Sequence, residues 1–138
     1  MKGFTIDQLS VGQSASFAKT ITETDIYLFA GITGDFNPAH VDEEYSKNTM
    51  FKGRIAHGML GASLISTVLG MKLPGPGTIY LKQDLKFLAP VRLGDTITAT
   101  CTVKEMFAEK NRLVLECSVT NQEGTAVISG EATVMAPK

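Results

Sequence analysis

The chain has 138 residues, 43% apolar and 20% charged, with a formal net charge of −1, the balance of one ordinary globular domain spanning residues 1–138. So small a charge, with no basic run, argues against a nucleic-acid partner. The longest apolar stretch, Met59 to Leu73, is too short and too interrupted to span a bilayer, so no membrane partner is expected. Met1-Lys2-Gly3 leads into Phe4-Thr5-Ile6-Asp7 rather than an apolar segment, so no secretory signal is read and a cytoplasmic location is expected. Ser14 to Thr20 reads as a first strand with Ala15, Phe17 and Ala18 inward. Thr22-Glu23-Thr24-Asp25 has the form of a helix start, a threonine cap with acids in the first turn. Ile26, Phe29 and Ala30 then share one helical face, and Gly31 and Gly34 end it.

From Gly34 to His40 the residues are turn formers, and an ordered loop is expected, stiffened in its middle by Pro38. Asp42 caps a short helix through Glu43, Glu44 and Tyr45. After the turn Lys52-Gly53-Arg54, the run from Gly58 to about Met71 carries no charge, which marks a helix wrapped by protein. Pro74-Gly75-Pro76-Gly77 breaks the chain. Beyond it, four alternating segments read as strands: Ile79 to Phe87, Ile97 to Val103, Leu113 to Val119 and Ala126 to Val134. Short turns link the later ones, so an antiparallel meander is expected, covered on one face by the uncharged helix. The fold class is α+β: a curved antiparallel sheet wrapped around one long central helix, the hot-dog arrangement.

Chemistry is confined to few places. Cys101 and Cys117 are the only cysteines, with no CxxC, so two buried thiols are expected and no metal site. The only histidines are His40 and His57. His40 follows Asp35 by five residues, a spacing that a helix face does not bring together but a folded loop can. On spacing alone the pair reads either as a capping carboxylate and a hydrogen-bonded imidazole, or as a general base and acid around a water. Gly58 stands where the apolar helix begins. It either permits close helix packing or presents a free N–H to a developing oxyanion. His57 reads as a histidine orienting that turn. Ser63 and Ser66 lie on the apolar helix without the glycines of a nucleophile elbow, so acyl-serine chemistry is not expected.

The run Leu28-Phe29-Ala30-Gly31-Ile32-Thr33-Gly34-Asp35-Phe36-Asn37-Pro38-Ala39-His40-Val41-Asp42 resembles the signature of the MaoC-like dehydratases, and most of all that of the (R)-specific enoyl-CoA hydratases. Arg54-Ile55-Ala56-His57-Gly58-Met59-Leu60 matches a second marker of that family, and the likeness continues through Leu73 to Leu81 and Phe87 to Val91. The resemblance implies a homodimer and reversible syn addition of water to a trans-2-enoyl-CoA, giving an (R)-3-hydroxyacyl-CoA. Asp35 and His40 would hold the catalytic water, Asp35 as base and His40 supplying the proton to C2. The Gly58 N–H would meet the thioester oxygen, Asn37 would brace the loop, and Ser66 matches a family position near the active site. Ala39 departs from the family, where larger aliphatic residues are common; this alters packing behind His40 and removes no chemical group.

The single copy of the domain leans towards short or medium acyl chains. Such enzymes serve polyester storage or fatty-acid and butyrate-type metabolism. Coenzyme A is part of the substrate, and no other cofactor is implied. An acyl carrier protein as the thioester carrier is an alternative, followed by a hot-dog acyl-CoA thioesterase and a non-catalytic acyl-thioester-binding module. The uncharged central helix argues against the thioesterase, which usually carries its carboxylate there. Lys47, Lys52, Arg54, Lys82 and Lys86 are scattered cations with no assigned role.

Overall fold

Thr22 opens the first helix as its composition dictates. In the computed structural model, which describes residues 1–138, α1 spans Glu23–Thr33 after a first strand, β1, at Ser14–Thr20. The Asp25 N–H donates to Thr22 Oγ1 at 3.2 Å, and the Thr22 N–H donates to Asp25 Oδ2 at 2.9 Å. This capping box contributes about 1 kcal/mol. Ile26 and Ala30 are fully buried, with Phe29 partly buried beside them. Gly31 lies inside the helix, against expectation, because a solvent-facing glycine lowers helix stability without ending it. Gly34 terminates α1 at φ 81°, its N–H donating to the Ala30 carbonyl at 2.8 Å.

The loop expected over Gly34–His40 is only half a loop. Asn37 caps a one-turn helix, α2, at Pro38–Val41, accepting from the Ala39 N–H at 3.1 Å. Pro38 occupies a first-turn position, where its missing N–H costs nothing. Asp42 caps the next short helix, α3 (Glu43–Ser46), as expected. The long helix α4 covers Gly58–Met71.

Four further strands follow: β2 (Ile79–Phe87), β3 (Thr96–Phe107), β4 (Arg112–Thr120) and β5 (Ala126–Met135). They join β1 in one antiparallel sheet of order β1-β3-β4-β5-β2. The meander therefore holds for β3, β4 and β5 alone. β2 pairs with β5 at the sheet edge instead of with its chain neighbour β3, because the segment after Phe87 returns to the opposite half of the sheet. An isolated antiparallel bridge between Ile55 and Arg92 ties that returning segment to the approach of α4.

Ile65, Val68 and Leu69 of α4 are buried in one core cluster with Ile97, Leu115 and Val134 of the sheet. Each such side chain contributes roughly 1.5–3 kcal/mol on burial. The helix sits close, since a Cβ on Gly61 would lie 3.2 Å from Ile128 Cδ1. Cys101 and Cys117 face each other within this core, sulfur atoms 3.7 Å apart, and the hydrogen bond to Cys117, with burial behind it, pushes the Cys101 thiol up.

Inward assignments fail at the margins of three strands, β1, β5 and β2. Ala18 is exposed while Ala15 and Phe17 are partly buried, and Ala126 is exposed while Val127 is buried. A bulge at Leu81 interrupts the alternation of β2, and Ile79, Leu81 and Phe87 stay exposed on this edge strand. α4 is also not wrapped all round: Met59, Ser63 and Ser66 form an exposed stripe. No helix is long and apolar enough to cross a membrane.

Candidate active site

Asp35 enters the site on a tight local turn. Its backbone N–H donates to Thr33 Oγ1 at 3.2 Å, and its Oδ1 accepts from the Asn37 N–H at 3.1 Å. Oδ2 has no partner in the chain and is left for a ligand. Asn37 thus braces both ends, holding the carboxylate from its main chain and capping α2 with its side chain.

His40, 9% exposed on α2, places Nδ1 2.8 Å from the Ile55 carbonyl oxygen. A carbonyl can only accept, so Nδ1 carries hydrogen and Nε2 is the nitrogen available for proton exchange. Arg54 fixes the backbone beneath, Nε donating to the His40 carbonyl at 2.7 Å while Nη1 pairs with Glu23 at 2.7 Å. The hydrogen bond from Arg54 holds the Glu23 carboxyl below its usual value. Arg54, with no role assigned from sequence, therefore links α1 to the turn that carries His40.

One side-chain donor atom from each of Asp35, His40 and His57 lies within 4.8 Å of the other two. A single water making two hydrogen bonds of about 2.8 Å spans such a gap. A metal would need lone pairs converging at about 2.0–2.2 Å. The two imidazoles instead stack, centroids 3.9 Å apart and planes at 30°, and each has a nitrogen committed to a backbone carbonyl. With His57 Nε2 on the Asp35 carbonyl and its Nδ1 buried, only the Asp35 carboxylate and His40 Nε2 remain to meet a water, which this arrangement fits better than an ion.

Gly58 completes the wall. α4 begins without a side-chain cap, and the Gly58 N–H makes no hydrogen bond within the chain, so it points out of the helix end with the positive pole behind it. A cavity of about 370 Å³ is lined by Asp35, His40, His57 and Gly58, with Phe29 and Phe87 closing it. A second, of about 400 Å³, shares His40, Gly58 and Phe87 and is otherwise apolar, reaching Ala56, Val91 and Ile128. His57, 22 positions after Asp35, and its neighbour Gly58 are thus brought to the Asp35 turn, whereas Ser66 is not. It lies on the exposed stripe of α4 and lines neither cavity.

The MaoC like domain family matches residues 8–125. The chain belongs to the MaoC-like family. An (R)-specific enoyl-CoA hydratase of Rhodospirillum rubrum is 59% identical over 131 residues, covering 95% of this chain and 90% of that protein. Among solved structures, the R-hydratase PhaJ1 of Pseudomonas aeruginosa in its unliganded form superposes with a TM-score of 0.94 at 47% identity, over 99% of this chain and 88% of that one. The (R)-hydratase of A. caviae involved in PHA biosynthesis gives 0.91 at 41%, over 94% and 98%. These likenesses cover the whole MaoC-like fold, sheet and central helix included.

Phe87 is the site residue that sequence reading missed. Its ring lies where a Cβ on Gly58 would fall, 2.8 Å away, and it walls both cavities. Its place in a regular alternation made it look like an ordinary strand residue. Only the edge position of β2 brings it over the start of α4.

Proposed function

We propose that this MaoC-like chain is an (R)-specific enoyl-CoA hydratase, adding water reversibly to a trans-2-enoyl-CoA to give the (R)-3-hydroxyacyl-CoA. The observation that carries the reading is one cavity wall bearing a carboxylate, an imidazole with Nε2 free and an uncapped helix N–H. The names of its relatives support the same reaction. In the hydrating form Asp35 is a carboxylate and His40 Nε2 carries a proton. Asp35 Oδ2 removes a proton from the bound water as its oxygen bonds to C3 of the enoyl group. The C2=C3 pair shifts towards the thioester, and the negative charge gathers on its oxygen, where the Gly58 N–H receives it. A donor of this kind is worth about 3 kcal/mol. His40 then gives its Nε2 proton to C2, and the proton now on Asp35 restores His40 for the next turnover. Water and proton come from the same wall, so addition is syn.

Short to medium acyl groups are the proposed substrates, a reading supported by the single copy of the domain and by cavities of about 370 and 400 Å³. Two copies of the chain would cover the apolar edge of β2, where Ile79 is 54% and Leu81 42% exposed, together with Met59 and Met71 of α4, each 57% exposed. Light scattering is therefore expected to give about twice the 14.8 kDa protomer mass; a fully active monomer would contradict the pairing. For the reaction itself, the (R) isomer of 3-hydroxybutyryl-CoA is expected to dehydrate and the (S) isomer to remain. Turnover of the (S) isomer alone would overturn the stereochemical assignment.

The Gly58–Phe87 contact gives a further test. Gly58→Ala pushes a methyl into the Phe87 ring, and kcat should fall roughly tenfold to a hundredfold as the N–H is displaced. Adding Phe87→Ala should recover most of that loss. A double variant no better than Gly58→Ala would show that crowding by Phe87 is not the reason for glycine.

A further inference from the structure

The hydration chemistry needs the Asp35 carboxylate, the His40 ring and the Gly58 N–H in one frame, yet these groups are held by separate pieces of chain. Every bond that Asp35 makes through its own N–H and carboxylate stays within two residues, to Thr33 and Asn37. Those bonds shape the turn but do not place it relative to α4. His40 and its α2 turn are anchored to Ile55 and Arg54. The one hydrogen bond that ties Asp35 to the start of α4 comes from His57, whose Nε2 lies 2.9 Å from the Asp35 carbonyl oxygen.

His57 is 3% exposed and occupies the cap position of α4, so its own peptide group leads directly into the Gly58 N–H. Its ring stacks on His40 at 3.9 Å, and Phe29 packs against it at 4.9 Å. Because the Asp35 carbonyl only accepts, Nε2 must carry the ring hydrogen, which leaves Nδ1 a bare acceptor, buried and without a partner. A packing residue would not need a polar ring here, since the unmet Nδ1 is itself a cost. The Nε2 donor is what offsets it.

We propose that His57 is a positioning residue, setting the distance between the Asp35–His40 pair and the oxyanion donor at Gly58 through the bond from its Nε2 to the Asp35 main chain. This rests on the hydratase reading and makes the turn-orienting role read for His57 specific, naming the bond that does the orienting and the two groups it holds in register. It touches no reacting atom. Its loss leaves the carboxylate, the imidazole and the N–H all present but misplaced, and displacements of about 1 Å at a reacting centre cost on the order of a hundredfold.

The test compares His57→Gln, His57→Asn and His57→Leu in steady-state hydration of crotonyl-CoA, each variant checked for a cooperative thermal melt. A glutamine amide reaches about as far from Cβ as the imidazole Nε2, whereas the asparagine amide stops at the level of Nδ1. Leucine fills space without a donor. Gln is expected within about tenfold of wild-type kcat, Asn and Leu down about a hundredfold, with KM changed by less than about threefold in all. Gln no better than Asn and Leu, or losses confined to KM, would overturn the proposal. A measurement on the unaltered protein covers variants that fail to fold: ring nitrogen NMR should show His57 with hydrogen on Nε2, and the Nδ1–H tautomer would overturn it equally. An inactive wild type would defeat the hydratase reading first, and an active wild type with no rescue by Gln would defeat this proposal alone.

Discussion

Asp35→Asn is expected to lower kcat for enoyl-CoA hydration by at least about a thousandfold with little change in KM, and His40→Gln by a similar factor. The asparagine keeps the shape of the turn, because an amide oxygen still accepts the Asn37 N–H that now reaches Oδ1 at 3.1 Å. What changes is the free Oδ2 position, where an NH₂ replaces the atom that takes the proton from water. In His40→Gln the amide can reach the place of Nε2, the one ring nitrogen not committed to the Ile55 carbonyl, but an amide does not give up a proton to C2. Both residues act on one water, so the double variant should fall little further than either single one. Steady-state kinetics at saturating substrate, with circular dichroism to confirm the fold, reads all three. Additive losses would mean that the two side chains act independently rather than as one unit.

Gly130→Ala should cost the fold about 3 kcal/mol or more, read as a lowered urea midpoint. Gly130 sits in β5 opposite Leu85 of β2 and Cys117 of β4. A methyl there would lie 1.9 Å from the Asp84 carbonyl oxygen and 2.9 Å from its carbon. These are backbone atoms, so no rotamer change relieves the clash, and β2 itself must move. β2 carries Phe87 to the mouth of both cavities, so activity should fall along with stability. An alanine variant as stable as wild type would contradict the close approach of these strands.

Much of this molecule was legible because local chemistry and tertiary structure agree. The capping box at Thr22 and Asp25, the uncharged run of α4 and the alternation of β3 and β4 each have one economical reading, and the structure adopts it. The limits of α4 fall at Gly58 and Met71, where the polar turn ends and the composition changes. Misreadings arose where a local signal was decided by distant partners. Gly31 looked like a stop, but the stop is the residue that enters the left-handed region, Gly34. Nothing in the periodicity of β2 told whether β3 or β5 would be its neighbour, because both present similar apolar alternation.

The same division runs through the site. Asp35 and His40 stood out as scarce, chemically capable residues on a stiff segment, and Gly58 as a glycine at a helix start. Their supports were invisible, because two of the bonds that matter end on backbone carbonyls, those of Ile55 and Asp35. Any residue type supplies such an oxygen, so no spacing reveals it. Arg54 carried a weak signal, a lone arginine directly before Ile55-Ala56-His57-Gly58, and its reach to both Glu23 and the His40 carbonyl appears only in three dimensions.

The most direct test of the central claim is the absorbance of the enoyl thioester when the wild-type protein meets crotonyl-CoA, followed alongside a thiol reagent. The account predicts rapid loss of the enoyl absorbance with no free thiol, approaching an equilibrium set by hydration. Release of coenzyme A with the double bond intact would contradict it, because the Asp35 and His40 wall would then be directing water at the thioester carbon and not at C3.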